Sequence, residues 1–221
     1  MIDKDILKDK FPFWDKLTDE EAKIISSNSR IETFPKGSMI NRSGNECRGM
    51  LRICKGYIRV YFLSEEGREV TLFRLSEGDI CVFSASCLLD SIVFDVFIEA
   101  VENTEAILIP SPVLHQIMQE NVYVELFLCK TANERFSDAM WTMQQILFMG
   151  ADRRVAIFLL DEIARTGLTT VEYTHDEIAR LIGSAREVVS KILKIFSKEG
   201  IVELKRGKIQ IIDKEKLKSL V

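Results

Sequence analysis

The sequence predicts an α+β chain: a β-rich N-terminal body, one long helix, and a C-terminal helix-turn-helix followed by a basic hairpin. Three changes of period carry that prediction. Short strands separated by glycines run from about Glu32 to Ile109, a helical pattern free of proline and glycine covers 122–148, and two capped amphipathic helices lie between Thr174 and Gly200. With 221 residues the chain holds one large domain or two small ones. Its 47% hydrophobic and 29% charged residues are those of an ordinary water-soluble protein. No apolar run approaches the roughly 18 residues of a membrane span. The opening MIDKDILKDKFPFW lacks the apolar stretch of a secretion signal, so the expected location is the cytoplasm, without a membrane partner.

The elements follow in order. Thr18–Ser27 is a short helix opened by a capping box of Thr18 and Glu21. Strands are expected at Met50–Cys54, Tyr57–Leu63, Val70–Leu75, Val93–Ala100 and Ala106–Ile109, broken at Lys55-Gly56, Glu66-Gly67 and Glu77-Gly78-Asp79. Strands of this length with regular turns indicate a sandwich or barrel rather than alternating α/β units. In the long helix, Val122, Leu126, Cys129, Asn133, Phe136, Met140, Met143 and Leu147 alternate steps of four and three. That period keeps one seam facing a partner helix and makes the segment a candidate dimer stalk, although packing against the chain's own barrel would use much the same pattern. Gly150 ends the stalk, Asp152 is placed to cap the next helix, and Arg153–Arg165 is an amphipathic segment closed by Thr166-Gly167.

The stretch THDEIARLIGSAREVVSKILKIFSKEG is the most informative. Thr174 and Glu177 form a capping box, and Ile178, Leu181 and Ile182 give the first helix its apolar face. Gly183 allows the sharp turn, and Ser184 is placed to cap a second helix whose inner face is Val188, Val189, Ile192, Leu193 and Phe196. Gly200 stops that helix, and Ile201–Leu204 and Lys208–Ile212 flank Lys205-Arg206-Gly207 as a basic wing. The second helix shows Arg186, Glu187, Ser190, Lys191 and Lys194 on its other side. A helix fits the major groove, where Arg donates two hydrogen bonds to guanine and Glu accepts one from cytosine. Double-stranded DNA is therefore the expected partner. The binding set is Arg186, Glu187, Ser190 and Lys191, bordered by Thr174, Ser184, Lys205 and Arg206. Charge agrees: the whole chain carries −4, yet 174–221 holds 11 Lys+Arg against 7 Asp+Glu, which confines the basic surface to this end.

On these residues the chain resembles the Crp/Fnr family of transcription factors. The likeness runs through KGSMINRSG, LRICKGYIRVYF, EGREVTLFRLSEGDI, the long helix, Asp152 at the hinge, and IARLIGSAREVVSKILKIFSKEGIV. It implies a jelly-roll sensor barrel of the cyclic-nucleotide-binding kind over 1–115, a dimerisation helix over 116–150, and a winged helix-turn-helix over 151–221. It further implies a homodimer on a palindromic operator, RNA polymerase as a further partner, and base reading by Arg186, Glu187, Ser190 and Lys191. The Arg-Glu pair is similar to that of the branch reading a TGTGA-like half-site, with Lys191 where that branch has arginine. Cyclic-AMP binders of the family hold the nucleotide with a Gly-Glu pair and an Arg-Ser pair. Here those positions read Val82-Phe83 and Phe94-Asp95, so the phosphate loses its arginine and meets a carboxylate. An effector other than cyclic AMP is expected, in an aromatic pocket of Phe83, Phe94, Asp95 and Phe97 faced by Trp141 and Thr142.

What the barrel senses stays open at the level of sequence. An uncharged or aromatic small molecule would suit the aromatic residues, which equally suit a plain core. Thiol redox sensing would use Cys81 and Cys87, or Cys47 and Cys54, where buried inert thiols are the alternative. The cysteines number five, none spaced as CxxC, so no disulfide framework is expected. An iron–sulfur cluster does not fit residues 1–46, which contain no cysteine, and haem would have to rest on His115 or His175, the only histidines. His175 is read as an exposed position of its helix. No metal site, phosphate loop or catalytic triad can be assembled, so an enzyme is not expected. The remaining rival is a small-molecule-binding module without a DNA role.

Overall fold

Glycine turns and alternating apolar residues fold into strands close to the expected limits. The structure, a computed structural model, describes residues 2–41, 48–67, 69–82 and 96–221. By its internal contacts the chain forms two units, Met1–Leu63 with Leu72–Met140, and Ser64–Thr71 with Trp141–Val221.

The first unit begins with α1 (Lys4–Lys10) and α2 (Asp19–Asn28), the latter opened by the Thr18–Glu21 capping box. Eight strands follow: β1 (Arg30–Phe34), β2 (Met39–Asn41), β3 (Gly49–Lys55), β4 (Tyr57–Leu63), β5 (Glu69–Ser76), β6 (Ile80–Cys81), β7 (Phe97–Ala100) and β8 (Thr104–Pro110). They lie in two four-stranded sheets, ordered β1-β8-β3-β6 and β2-β7-β4-β5, the non-sequential order of a jelly roll. Of the expected strand Val93–Ala100, residues 93–95 lie outside the described residues. Gly56, between β3 and β4, has φ +95°, and a Cβ there would stand 2.5 Å from the Asn103 carbonyl oxygen, so the turn demands glycine. Both sheets contribute to one core: Leu51, Ile53, Leu108 and Ile109 from one, Ile58, Val60, Ile98 and Ala100 from the other.

Two helices follow β8. α3 (Ser111–Glu120) ends at Asn121, and α4 (Val122–Phe148) runs for 27 residues, so residue 116, the start that the resemblance implies for the dimerisation helix, falls inside α3. Val124 and Leu128 of α4 join the barrel core, and the Phe127 ring meets Phe13 edge-on, 5.0 Å between centroids.

The second unit holds α5 (Ala151–Thr166), β9 (Thr170–Val171), α6 (His175–Ile182), α7 (Arg186–Lys198), β10 (Val202–Lys205), β11 (Lys208–Ile211) and α8 (Lys214–Lys218). The sheet order is β10-β11-β9. Leu159 and Phe158 of α5, Ile178 of α6, Leu193 and Phe196 of α7, and Ile201 and Ile209 beside them are all buried. The long helix stops just before Gly150, as expected, but one expectation at the start of this unit is corrected: Asp152 lies in the first turn of α5 instead of capping it, because Gly150 occupies the N-cap. Among the described residues no helix is long and apolar enough to cross a membrane.

Candidate nucleic-acid interface

α6 starts where its sequence says. The Thr174 hydroxyl accepts the Glu177 N–H at 3.2 Å, and the Glu177 carboxylate accepts the Thr174 N–H at 2.8 Å. Buried Ile178, Ala179 and Leu181 face inward, while Ile182 is only half-buried. Gly183 closes the helix at φ +63°. The carbonyls exposed by that turn find a partner from outside the motif: Arg154 Nη1 of α5 donates to the Ile182 oxygen at 2.8 Å and to that of Gly183 at 3.3 Å.

The cap of α7 is not the expected one. Ala185, in an extended conformation, is its N-cap and makes no side-chain bond, so Ser184 lies one residue too early for the role. Val189, Ile192, Leu193 and Phe196 bury the inner face, but Val188 is 40% exposed. Val188 and Val189 are neighbours about 100° apart on the helix, and the step of three and four from Val189 leaves Val188 outside. Arg186, Glu187, Lys191 and Lys194 are exposed, and Ser190 is half-buried. Together with Ile195 and Lys198 they line a shallow groove along one side of the helix.

The wing forms as a hairpin with Lys205 opposite Lys208 and Arg206 exposed at its tip. Lys205 Nζ stands 3.1 Å from the Glu203 carboxylate, an exposed pair with both groups in reach of water. A cleft between the wing and the start of α6 is lined by Thr174, His175, Arg186, Lys205 and Lys208. His175 is therefore not a freely exposed helix position. Its Nδ1 lies 2.8 Å from Ser190 Oγ, joining the two helices of the motif. Burial, then the charges of Arg186 and Lys194, hold its imidazole below the usual histidine range. Thr174, His175, Arg186, Ser190, Lys205 and Lys208 thus share one surface of the domain. It is the juxtaposition that docking against phosphates and base edges requires.

Comparison with known proteins places both units. Residues 153–220 match the Crp-like helix-turn-helix domain, and residues 31–121 match the cyclic nucleotide-binding domain. A crystal structure of a Crp/Fnr-family protein from Eubacterium rectale ATCC 33656 is 40% identical, covers 96% of this chain and 99% of that one, and gives a TM-score of 0.91. The chain belongs to the Crp/Fnr family. The cyclic AMP receptor protein of Thermus thermophilus is 27% identical over 90% of this chain and 92% of its own length. FixK2 of Bradyrhizobium japonicum shares the fold at 21% identity, with a TM-score of 0.72 over 87% of this chain and 96% of that one. The protein is a DNA-binding transcription regulator of Crp/Fnr type with a cyclic-nucleotide-binding-like domain, in a family of regulators that are not enzymes.

In this Crp/Fnr barrel, the pocket candidates Phe83, Phe94 and Asp95 lie outside the described residues, as do Cys47 and Cys87. Phe97 points to the opposite face of β7 from the core residues Ile98 and Ala100, as strand alternation dictates. There it stacks on Tyr61, 5.5 Å between centroids. The sequence reading missed what shares that face. Arg59 is 3% exposed and pairs with Glu99 at 2.5 Å, its guanidinium 4.1 Å over the Tyr61 ring. Only strand pairing brings residues 59 and 99 together. Trp141 is exposed and Thr142 half-buried on α4. Cys81 is buried, and burial pushes the half-buried Cys54 thiol up. Among the described residues no group of three or more His, Cys, Asp or Glu is placed to hold a metal ion.

Proposed function

We propose that the protein acts in the cytoplasm as a homodimer on a palindromic DNA operator, under the control of an effector other than cyclic AMP. The observation that carries the reading is the division of α7. Val189, Ile192, Leu193 and Phe196 are buried, while Arg186, Glu187 and Lys191 stand exposed on the other side. An exposed carboxylate amid cations weakens a general attraction for phosphate, and it accepts a hydrogen bond from the cytosine amino group. Arg186 and Glu187 read bases in this account, Ser190 and Lys191 complete the contact, and Lys205 and Arg206 hold the flanking backbone. Thr174 shapes the start of α6, and Ser184 lies in the turn.

Dimerisation is supported by α4. Val122, Leu126, Cys129, Asn133, Phe136, Met140, Met143 and Leu147, the seam legible in the sequence, are all exposed, while the barrel takes the face of Val124, Leu128 and Thr131. A dimer places two recognition helices about 34 Å apart on successive major grooves. Exclusion of cyclic AMP rests on the sequence at Val82-Phe83 and Phe94-Asp95. A thiol sensor is disfavoured at Cys54, whose raised thiol lies further from the thiolate form. RNA polymerase is the further partner that family membership suggests.

Binding to a library of palindromic duplexes tests this reading. Glu187→Ala and Arg186→Ala should each cost about 1–3 kcal/mol on the selected site and relax preference at one base pair. Lys205→Ala should weaken all sequences alike and lower the salt slope by about one. Sequence preference left intact by Glu187→Ala would overturn the base-reading assignment.

A further inference from the structure

The 2.8 Å contact between His175 Nδ1 and Ser190 Oγ has a chemical consequence at the DNA surface. A hydroxyl carries one proton to donate and lone pairs to accept, and whatever it gives to one neighbour it withholds from the next. A neutral imidazole whose proton is on Nε2 accepts the Ser190 proton at Nδ1, leaving the oxygen lone pairs to face outward. A protonated imidazole donates from Nδ1 to Oγ, and the Ser190 proton is then free to point outward. We propose that His175 is a positioning residue for base reading: its protonation reverses the hydrogen-bond polarity that Ser190 presents to DNA, from acceptor to donor. The inference rests on the base-reading role given above to α7.

The surroundings make His175 the group that titrates here. Arg186 and Lys194 face it from α7, Asp176 and Glu177 lie beside it on α6, and Lys205 and Lys208 line the same cleft from the wing. Glu177 is held in the capping box, Lys205 pairs with Glu203, and Lys208 pairs with Glu172. Histidine is the side-chain type whose charge changes between about pH 5.5 and 8. The other histidine, His115, belongs to α3 in the first unit, and all five cysteines precede residue 130. Burial and the two neighbouring cations favour the neutral imidazole of His175 in the free protein. DNA phosphates brought beside those cations favour the imidazolium, so the bound state takes up the proton more readily than the free one. That effect raises affinity for every sequence alike as pH falls. A change in preference between bases is the separate signature of the reversed hydroxyl.

The test compares affinities for half-site variants carrying each base pair in turn, at pH about 8 and about 5.5. At one position, wild type should favour an exposed amino donor at high pH and a carbonyl or ring-nitrogen acceptor at low pH. The affinity ratio should move about fivefold, the scale of one hydrogen bond gained or lost. His175→Gln should keep preference at the Glu187 position and abolish the pH-dependent change, and Ser190→Ala, which also loses its own contact with DNA, should abolish that change too. A wild-type ratio that does not move with pH, or the same movement in either variant, overturns the proposal. Wild type without sequence preference at either pH would instead bring down the base-reading assignment itself.

Discussion

Arg154 decides how firmly the turn between α6 and α7 is held. Its guanidinium reaches 28 residues along the chain to the Ile182 oxygen and one further to that of Gly183. These are carbonyls that a helix end leaves without an internal partner, and a cation there also opposes the negative end of the helix dipole. Arg154→Met keeps the apolar stem and removes the donors. It should cost about 1–3 kcal/mol locally, read as faster hydrogen exchange of the amides of α6 and the first turn of α7. Unchanged protection would show that water replaces the guanidinium at no cost. Side chains of this kind mark the limit of sequence reading. The capping boxes at Thr18 and Thr174 were legible because cap and partner lie three residues apart. Arg154 with Ile182, His175 with Ser190, and Arg59 with Glu99 are joined only by tertiary folding, and no local spacing announces them.

At the scale of elements, periodicity located the helices and misplaced some of their edges. The limits of α4 and the strand Tyr57–Leu63 were readable because long uninterrupted periods are hard to mistake. Val188 was not, since two adjacent valines cannot both lie at the centre of a helix's buried stripe; with α5, α6 and β10 packed against α7, Val189 is the one that is buried. Gly183 was legible by its type, and the structure adds why it is needed. At φ +63° a left-handed residue links the two helices, and a Cβ would come 3.3 Å from Ile146 Cδ1. Gly183→Ala should therefore lower the stability of the second unit by about 1–2 kcal/mol. Gly183→Asn, which tolerates this backbone better, should fall between the two. Thermal unfolding of the three proteins orders them, and an alanine variant as stable as wild type would mean that the turn relaxes to another conformation.

For the whole molecule the informative surface is the long seam of α4. A single chain leaves Phe136 56%, Met143 45% and Leu147 67% exposed on one stripe, and a protein keeps such a stripe in water only at a cost. Alternating steps of four and three put Asn133 in the inner position that, in two-stranded coiled coils, pairs with its own copy and fixes register. A second copy packed on this seam, as proposed, links the two halves of the molecule's work, because one recognition helix contacts only half of a palindrome. Joining two half-site contacts in one particle raises affinity well beyond either alone. Phe136→Glu buries a carboxylate in that seam and should convert the dimer to a monomer in sedimentation equilibrium across a concentration series. Phe136 does not belong to the barrel core, so the monomer should stay folded, with helix content unchanged by circular dichroism. Its affinity for a full palindrome should fall to that for an isolated half-site. A Phe136→Glu protein that sediments as a dimer and keeps full palindrome affinity would move the subunit interface to another surface.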